Sequence, residues 1–221
     1  DEPQADGIDV RRLGDDLHYT AERAGRVYHV VERRYALLPR EAGAVTIPGI
    51  GFRGRALALD NGAFFADSQP VAARSQALEI DVRPPPAGAP RPWLPAQSLS
   101  LDAEGWPADG QLRAGEPLTL TLTLKATGLP FEALPALTLP TLDGAEVYPD
   151  KPQDGTRGDG RWLVGTRVRK FAIVPTRAGT LALPAITVQW WDTQHDRAAL
   201  ARIAAHTLRV LPAPGAPAAP P

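Results

Sequence analysis

Arg169–Val188 reads RKFAIVPTRAGTLALPAITV, and Arg33–Phe52 reads RRYALLPREAGAVTIPGIGF. The two align without a gap at an offset of 136, and seven of twenty positions are identical: Arg33, Ala36, Pro39, Ala42, Gly43, Pro48 and Ile50. Each copy predicts a strand, a Pro-x-x-Ala-Gly turn, then a second strand that stops at a proline. Pro39 and Pro175 end the incoming strands, Gly43 and Gly179 supply positive φ, and Pro48 and Pro184 close the outgoing ones. Ala77–Val82 and Ala205–Val210 make a second matched pair, each followed one residue later by proline. One β-domain is therefore expected twice in tandem.

Between the copies lies the clearest strand of the chain. Leu118, Leu120, Leu122 and Leu124 alternate with Thr119, Thr121 and Thr123, giving one apolar and one polar face. Gly115-Glu116-Pro117 leads in and Gly128-Leu129-Pro130 leads out. Further strands are expected at 161–174, 180–190 and 203–211, and Ala198–Ala205 is read as strand despite its alanines. Leu181, Leu183, Ile186, Val188 and Trp190 share a face only if Pro184 interrupts the strand; otherwise Trp191 takes the place of Trp190.

The composition agrees with an all-β chain. Of 221 residues, 24 are proline and 20 glycine, and interior proline costs a helix about 3 kcal/mol per position. The absence of cysteine excludes disulfides, thiolate catalysis and Cys-based metal sites. A formal charge of −1 offers no global field for nucleic acid, and no run of apolar residues has the length of a membrane span. Two proline-rich stretches set the domains. Pro84–Pro92 (PPPAGAPRP) is expected to be a stiff linker, and Pro212–Pro221 (PAPGAPAAPP) a disordered tether. That leaves 1–83 and 93–211. The second block has about 75 residues ahead of the shared motif, whereas the first has 32. The first copy is thus expected to be N-terminally incomplete by roughly two or three strands, its open edge being a by-product of that shortness.

Three stretches resemble the BatD family of bacterial oxygen-tolerance (aerotolerance) proteins: Tyr28–Phe52, Val147–Pro152 (VYPDKP) and Gly165–Asp192 with its Trp-Trp-Asp ending. The resemblance implies immunoglobulin-like β-sandwiches on the periplasmic side of the inner membrane, tethered by an anchor beyond Pro221. It also implies stress-tolerance partners carrying von Willebrand A domains, and genetic association with a MoxR-type ATPase.

No nucleophile, phosphate-loop or metalloprotease motif is present, and His18, His29, His195 and His206 lack ligand spacing. No catalytic residue, cofactor or metal is expected. Asp143–Gly160 carries Asp143, Glu146, Asp150, Asp154 and Asp159, but Lys151 and Arg157 interrupt them, so a solvated turn is favoured over calcium. Its Arg157-Gly158-Asp159 tripeptide is read as chance. Trp190, Trp191 and Asp192 are the first candidate interaction surface, since consecutive strand residues face opposite ways and one ring must point outward. Arg33, Arg34, Arg167, Arg169 and Lys170 are the second, read as a basic band on equivalent strands of both copies. Trp93, near the junction of the blocks, and Trp106, in an early loop of the second, are expected to seal the contact between the domains. A non-catalytic interaction module is the leading expectation and an envelope carbohydrate-binding module the alternative.

Overall fold

The computed structural model describes residues 2–58 and 67–214, so most of the expected tether, 215–221, lies outside the described residues. The chain is all-β, with nineteen strands and one short 3-10 turn among the described residues. It divides into two compact units, Asp1–Pro86 and Ala87–Pro221, and the division falls within the proline-rich stretch.

The first unit contains β1 (Ile8–Arg12), β2 (Leu17–Arg23), β3 (Arg26–Glu32), β4 (Tyr35–Pro39), β5 (Gly43–Ile47), β6 (Gly51–Ala58), β7 (Asp67–Arg74) and β8 (Leu78–Val82). They form four two-stranded ladders, β1–β4, β2–β3, β5–β8 and β6–β7. Only three hydrophobic side chains of this unit, Ile8, Leu13 and Ile47, are buried among the described residues.

The second unit contains β9 (Pro95–Ala96), β10 (Ser98–Glu104), β11 (Gln111–Arg113) and β12 (Leu118–Thr127). After the 3-10 turn Phe131–Ala133 come β13 (Ala145–Pro149), β14 (Gln153–Gly158), β15 (Leu163–Pro175) and β16 (Gly179–Leu183). The chain ends with β17 (Ile186–Asp192), β18 (Arg197–Ile203) and β19 (His206–Leu211). One sheet runs β10-β12-β15-β13, with β14 also on β15; the others are β11-β19-β16 and β18-β17-β9. Leucines of β12, Phe171 and Ile173 of β15, Leu181 and Leu183 of β16, Trp190 of β17 and Leu208 of β19 join one sandwich-like core. Leu120, Leu122 and Leu124 are fully buried while Thr119 is exposed, so the period-two pattern of β12 became a core face and a polar face.

Pro184 acts as a switch between sheets. β16 pairs β19, but after Pro184-Ala185 the chain re-enters as β17 against β18 and β9. The interruption shifts the phase, and Trp190 therefore joins Leu181 and Leu183 in the core. A proline, having no N–H for the ladder, is a natural place for that change.

The two units repeat strand by strand. Gly43 faces Val82 as Gly179 faces Val210, and Ile47 faces Leu78 as Leu183 faces His206. Phe52 faces Ala73 as Val188 faces Ala201, and Val10 faces Leu37 as Val147 faces Ile173. Leu17 faces Glu32 as Gln153 faces Val168, which makes β3 and β4 together the counterpart of β15. The turns agree as well: Gly43 and Gly179 have φ of 131° and 135°, and the Arg40 and Thr176 N–H groups donate to Gly7 and Gly144 carbonyls, both at 2.9 Å. The repeat thus reaches upstream to Asp6-Gly7 and Asp143-Gly144, farther than the sequence alignment carried it.

Three expectations need correction. The first unit has no described counterpart of β9, β10, β11 or β12, four strands where two or three were expected. The segment 143–160 is not one turn; it contains β13 and β14, which lie end to end along one edge of β15. Arg33 and Arg34 do not lie on a strand as Arg169 and Lys170 do, since they occupy the break between β3 and β4. The physical reason is β12. Its ladder spans Val164–Ile173 and holds β15 as one strand of thirteen residues; among the described residues no strand lies along the matching edge of the first unit.

Candidate functional site

The β17–β18 hairpin brings aromatic and polar side chains together at one turn of the second unit. Strand alternation puts Trp190 inward and Trp191 on the opposite face, where Trp191 is half-buried against Trp93. Their ring centroids are 5.8 Å apart at 44°, an arrangement within the range of favourable tilted aromatic pairs. Short parallel pairing with β9 brings Trp93 there: the Trp191 N–H donates to the Leu94 carbonyl at 2.9 Å and the Thr193 N–H to that of Ala96 at 3.0 Å. Trp93 remains 37% exposed, so the pair presents an aromatic surface to solvent. The Trp191 indole N–H donates to Asp196 Oδ1 at 3.2 Å, which fixes the ring from the other end of the turn.

Asp192 is the one buried acid among the described residues, and it organises the turn from within. Its Oδ1 accepts the N–H groups of Gln194 at 3.0 Å and His195 at 3.2 Å, a side chain standing in for a backbone turn bond. Its Oδ2 lies 2.7 Å from His195 Nδ1. The His195 hydrogen bond, followed by those two N–H groups, holds the Asp192 carboxyl below the usual carboxylate range despite its burial. Gln194 Nε2 donates to Gln97 Oε1 at 2.6 Å, joining the turn to the bend between β9 and β10. The neighbouring hydroxyl, Thr193, is committed to the Ala96 carbonyl at 3.0 Å, so this Asp–His pair orders a turn rather than activating that hydroxyl. In the first unit the same register positions are Gly54, Arg55 and Ala56, so those positions carry no counterpart of Trp190, Trp191 and Asp192.

Sequence reasoning found Trp190, Trp191 and Asp192 but missed Trp93, Gln97 and His195 as their partners. Asp192-x-x-His195 at the mouth of a turn was a readable signal; the Trp93 contact depends on a non-local strand pairing. Both Trp93 and Trp106 find ring partners inside the second unit, Trp106 stacking on His206 at 4.0 Å.

The basic residues resolve into separate environments. Arg33 Nε donates to both Asp16 oxygens, at 3.1 and 3.0 Å, and Arg12 bonds Asp16 too. Desolvation opposes ionisation of Asp16, but Arg33 and Arg12 outweigh it and keep its carboxyl below the ordinary range. Arg34 pairs with Glu32 at 2.7 Å. Arg167 lies 3.4 Å from Asp154, donates to the Phe131 carbonyl, and sits over the Phe131 ring. Arg169, with Leu139, Tyr148 and Phe171, lines an open groove of about 570 Å³, and Lys170 is exposed.

The five acids of 143–160 are likewise dispersed. Asp143 pairs with Arg177 at 2.6 Å, Glu146 with the Tyr148 hydroxyl, Asp154 with Arg167, and Asp150 with the Lys151 N–H at 2.7 Å. Asp159 accepts from Trp162 and Arg161, which lowers its carboxyl from the usual range. No cluster of three or more potential metal ligands forms among the described residues, and no helix there is long and apolar enough to cross a membrane.

No family model matches the chain, and neither a curated protein nor a solved structure matches it with significance.

Proposed function

We propose that the chain is a non-catalytic interaction module of the BatD type: tandem immunoglobulin-like domains on a proline-rich linker, tethered at the periplasmic face of the inner membrane. Its partners are membrane proteins with von Willebrand A domains, and its role lies in oxygen or stress tolerance. The observation that carries the interaction reading is the Trp93–Trp191 surface. Two tryptophans share an outward face, held by β9 and by the Asp192 turn, and the second unit already has Trp190 for its core. Aromatic residues in rigid surroundings are the usual anchors of protein interfaces. The family part of the reading rests on Tyr28–Phe52, Val147–Pro152 and Gly165–Asp192. Capture from detergent-solubilised bacterial membranes tests it. The wild-type chain should retain a von Willebrand A-domain protein, and the W93A/W191A double variant should lose it; retention by neither chain counts against the proposal.

A carbohydrate-binding reading is favoured by one feature, the amides of Gln194 on the turn and Gln97 on the bend after β9, beside the aromatic pair. Binding on an array of envelope glycans, abolished by W191A, would establish that alternative in its place.

A further inference from the structure

We infer that the groove lined by residues 137–142 and β13 is a docking site for an extended segment of a partner protein, in which Arg169 binds one Asp or Glu carboxylate of that segment.

Two cations of β15 stand where the strand is otherwise apolar. Residues directly opposite in an antiparallel ladder share a face, and Arg167, Arg169, Phe171 and Ile173 stand opposite Leu124, Leu122, Leu120 and Leu118 of β12. All four leucines are buried, as are Phe171 and Ile173, so both arginines project from the core face of the sheet. A guanidinium placed there is costly unless acceptors satisfy it. Arg167 Nη2 has two acceptors: Asp154, its register partner on β14, at 3.4 Å, and the Phe131 carbonyl at 3.3 Å. The Nε of each arginine is buried without a hydrogen-bond partner, but Arg169 also forms no ion pair among the described residues.

The first unit shows which chemistry suits this position. Arg33 matches Arg169 in the repeat, and its Nε donates to both oxygens of Asp16, at 3.1 and 3.0 Å. Asp16 immediately precedes β2. Leu17 faces Glu32 as Gln153 faces Val168, so the matching position ahead of β14 is Pro152. Proline brings no carboxylate. The first copy thus satisfies this arginine from within, whereas the second presents it to a carboxylate from outside, the planar partner a guanidinium fork fits best.

The surroundings suit a polypeptide. Arg169 and Phe171 line the open groove of about 570 Å³ together with residues 137–142 and β13. The Thr176 N–H donates to the Gly144 carbonyl and the Asp150 N–H to the Lys170 carbonyl, both at 2.9 Å. Alternation between those bonds turns the Val147 N–H and carbonyl away from β15, and among the described residues no strand pairs that side of β13. Main-chain groups at the rim, apolar side chains in the lining and one cation give an extended acidic segment both affinity and register. Glu146, the acid of the lining, does not compete for Arg169. It lies on the other face of β13 from Val147 and bonds the Tyr148 hydroxyl.

An immobilised library of seven-residue peptides tests the inference. The central residue is Glu, Asp or Gln, and the flanking positions vary among Val, Leu, Thr and Ser. The wild-type chain should be retained by Glu or Asp peptides and not by their Gln counterparts. R169Q should weaken that binding about ten- to a hundredfold, the scale of one charge-assisted hydrogen-bonded pair, with second-unit tryptophan emission unchanged. P152D keeps Arg169 and places a carboxylate at the position of Asp16, so it should weaken binding comparably by occupying the guanidinium from within. W93A/W191A should bind the acidic peptides normally, which separates this site from the aromatic surface. Retention of Gln peptides equal to that of Glu peptides overturns the inference, as does undiminished binding by R169Q or P152D. Failure of every acidic peptide overturns it too. N-acetylglutamate amide binding as tightly as the best peptide also overturns it, because the occupant is then a small carboxylate.

Discussion

Truncating Leu122 to alanine should remove more stability than any single change in the first unit. Leu122 has 0% exposure and sits mid-strand on β12, between β10 and β15, flanked in its own face by Leu120 and Leu124, also at 0%. The substitution loses the transfer free energy of the deleted atoms and leaves a cavity walled by paired strands that cannot collapse into it. Buried Leu→Ala changes cost about 2–5 kcal/mol, and a site held on both sides belongs in the upper part, about 3–5 kcal/mol. Urea denaturation is read by tryptophan fluorescence, because Trp93, Trp106, Trp162, Trp190 and Trp191 all lie in the second unit. With a slope of roughly 1.5 kcal/mol per molar, the midpoint should fall by about 2–3 M with the slope unchanged. V31A is the comparison, since a half-exposed edge side chain should leave that transition within about 0.5 kcal/mol. A shift for L122A no larger than for V31A would refute the claim that β12 is the centre of this core.

The remaining expectations concern turns, titration and the aromatic surface. Gly179→Ala should destabilise the second unit by about 1–3 kcal/mol through backbone strain alone, since φ is 135° and nothing lies within 4 Å of the added Cβ. Gly43→Ala, at φ 131° and equally open, should leave the tryptophan signal unmoved and appear only in tyrosine fluorescence or amide exchange of the first unit. Asp192 has a lowered pKa, so its contribution is complete above the unfolded value of 3.8 and is lost as pH falls through the lower folded value; D192N should flatten that acid limb in pH-dependent melts. W93A should cost about 0.5–1.5 kcal/mol of aromatic pairing, seen as a small midpoint shift without loss of the fold.

Local chemistry explains which features were legible beforehand. Alternation in Leu118–Leu124, the Pro-x-x-Ala-Gly turns and the breaking power of Pro184 act within a few residues, so a single stretch of chain reveals them. The matched segments Ala77–Val82 and Ala205–Val210 were visible as strings, but that they are the pairing partners of β5 and β16 in one register is a non-local fact. For the same reason Arg33 looked like a strand residue. Its neighbours in sequence match those of Arg169, but among the described residues no strand lies along Tyr28–Leu37 as β12 lies along Val164–Ile173, and Arg33 falls in the break between β3 and β4.

The sequence by itself determined the all-β class, the duplication, the turn glycines and the presence of one outward tryptophan beside an inward one. Tertiary structure decided which tryptophan that was, because a phase shift at Pro184 matters only once β16 and β17 enter different sheets. It decided that Asp192 serves a turn with His195 and that Trp191 meets Trp93, ninety-eight residues away, through the β9 pairing. It also decided that the counterpart of β15 in the first unit is broken into β3 and β4 at Arg33-Arg34. Side-chain pattern records what a strand needs on its faces, whereas the hydrogen bonds along its edges are satisfied by whichever segment the fold brings alongside.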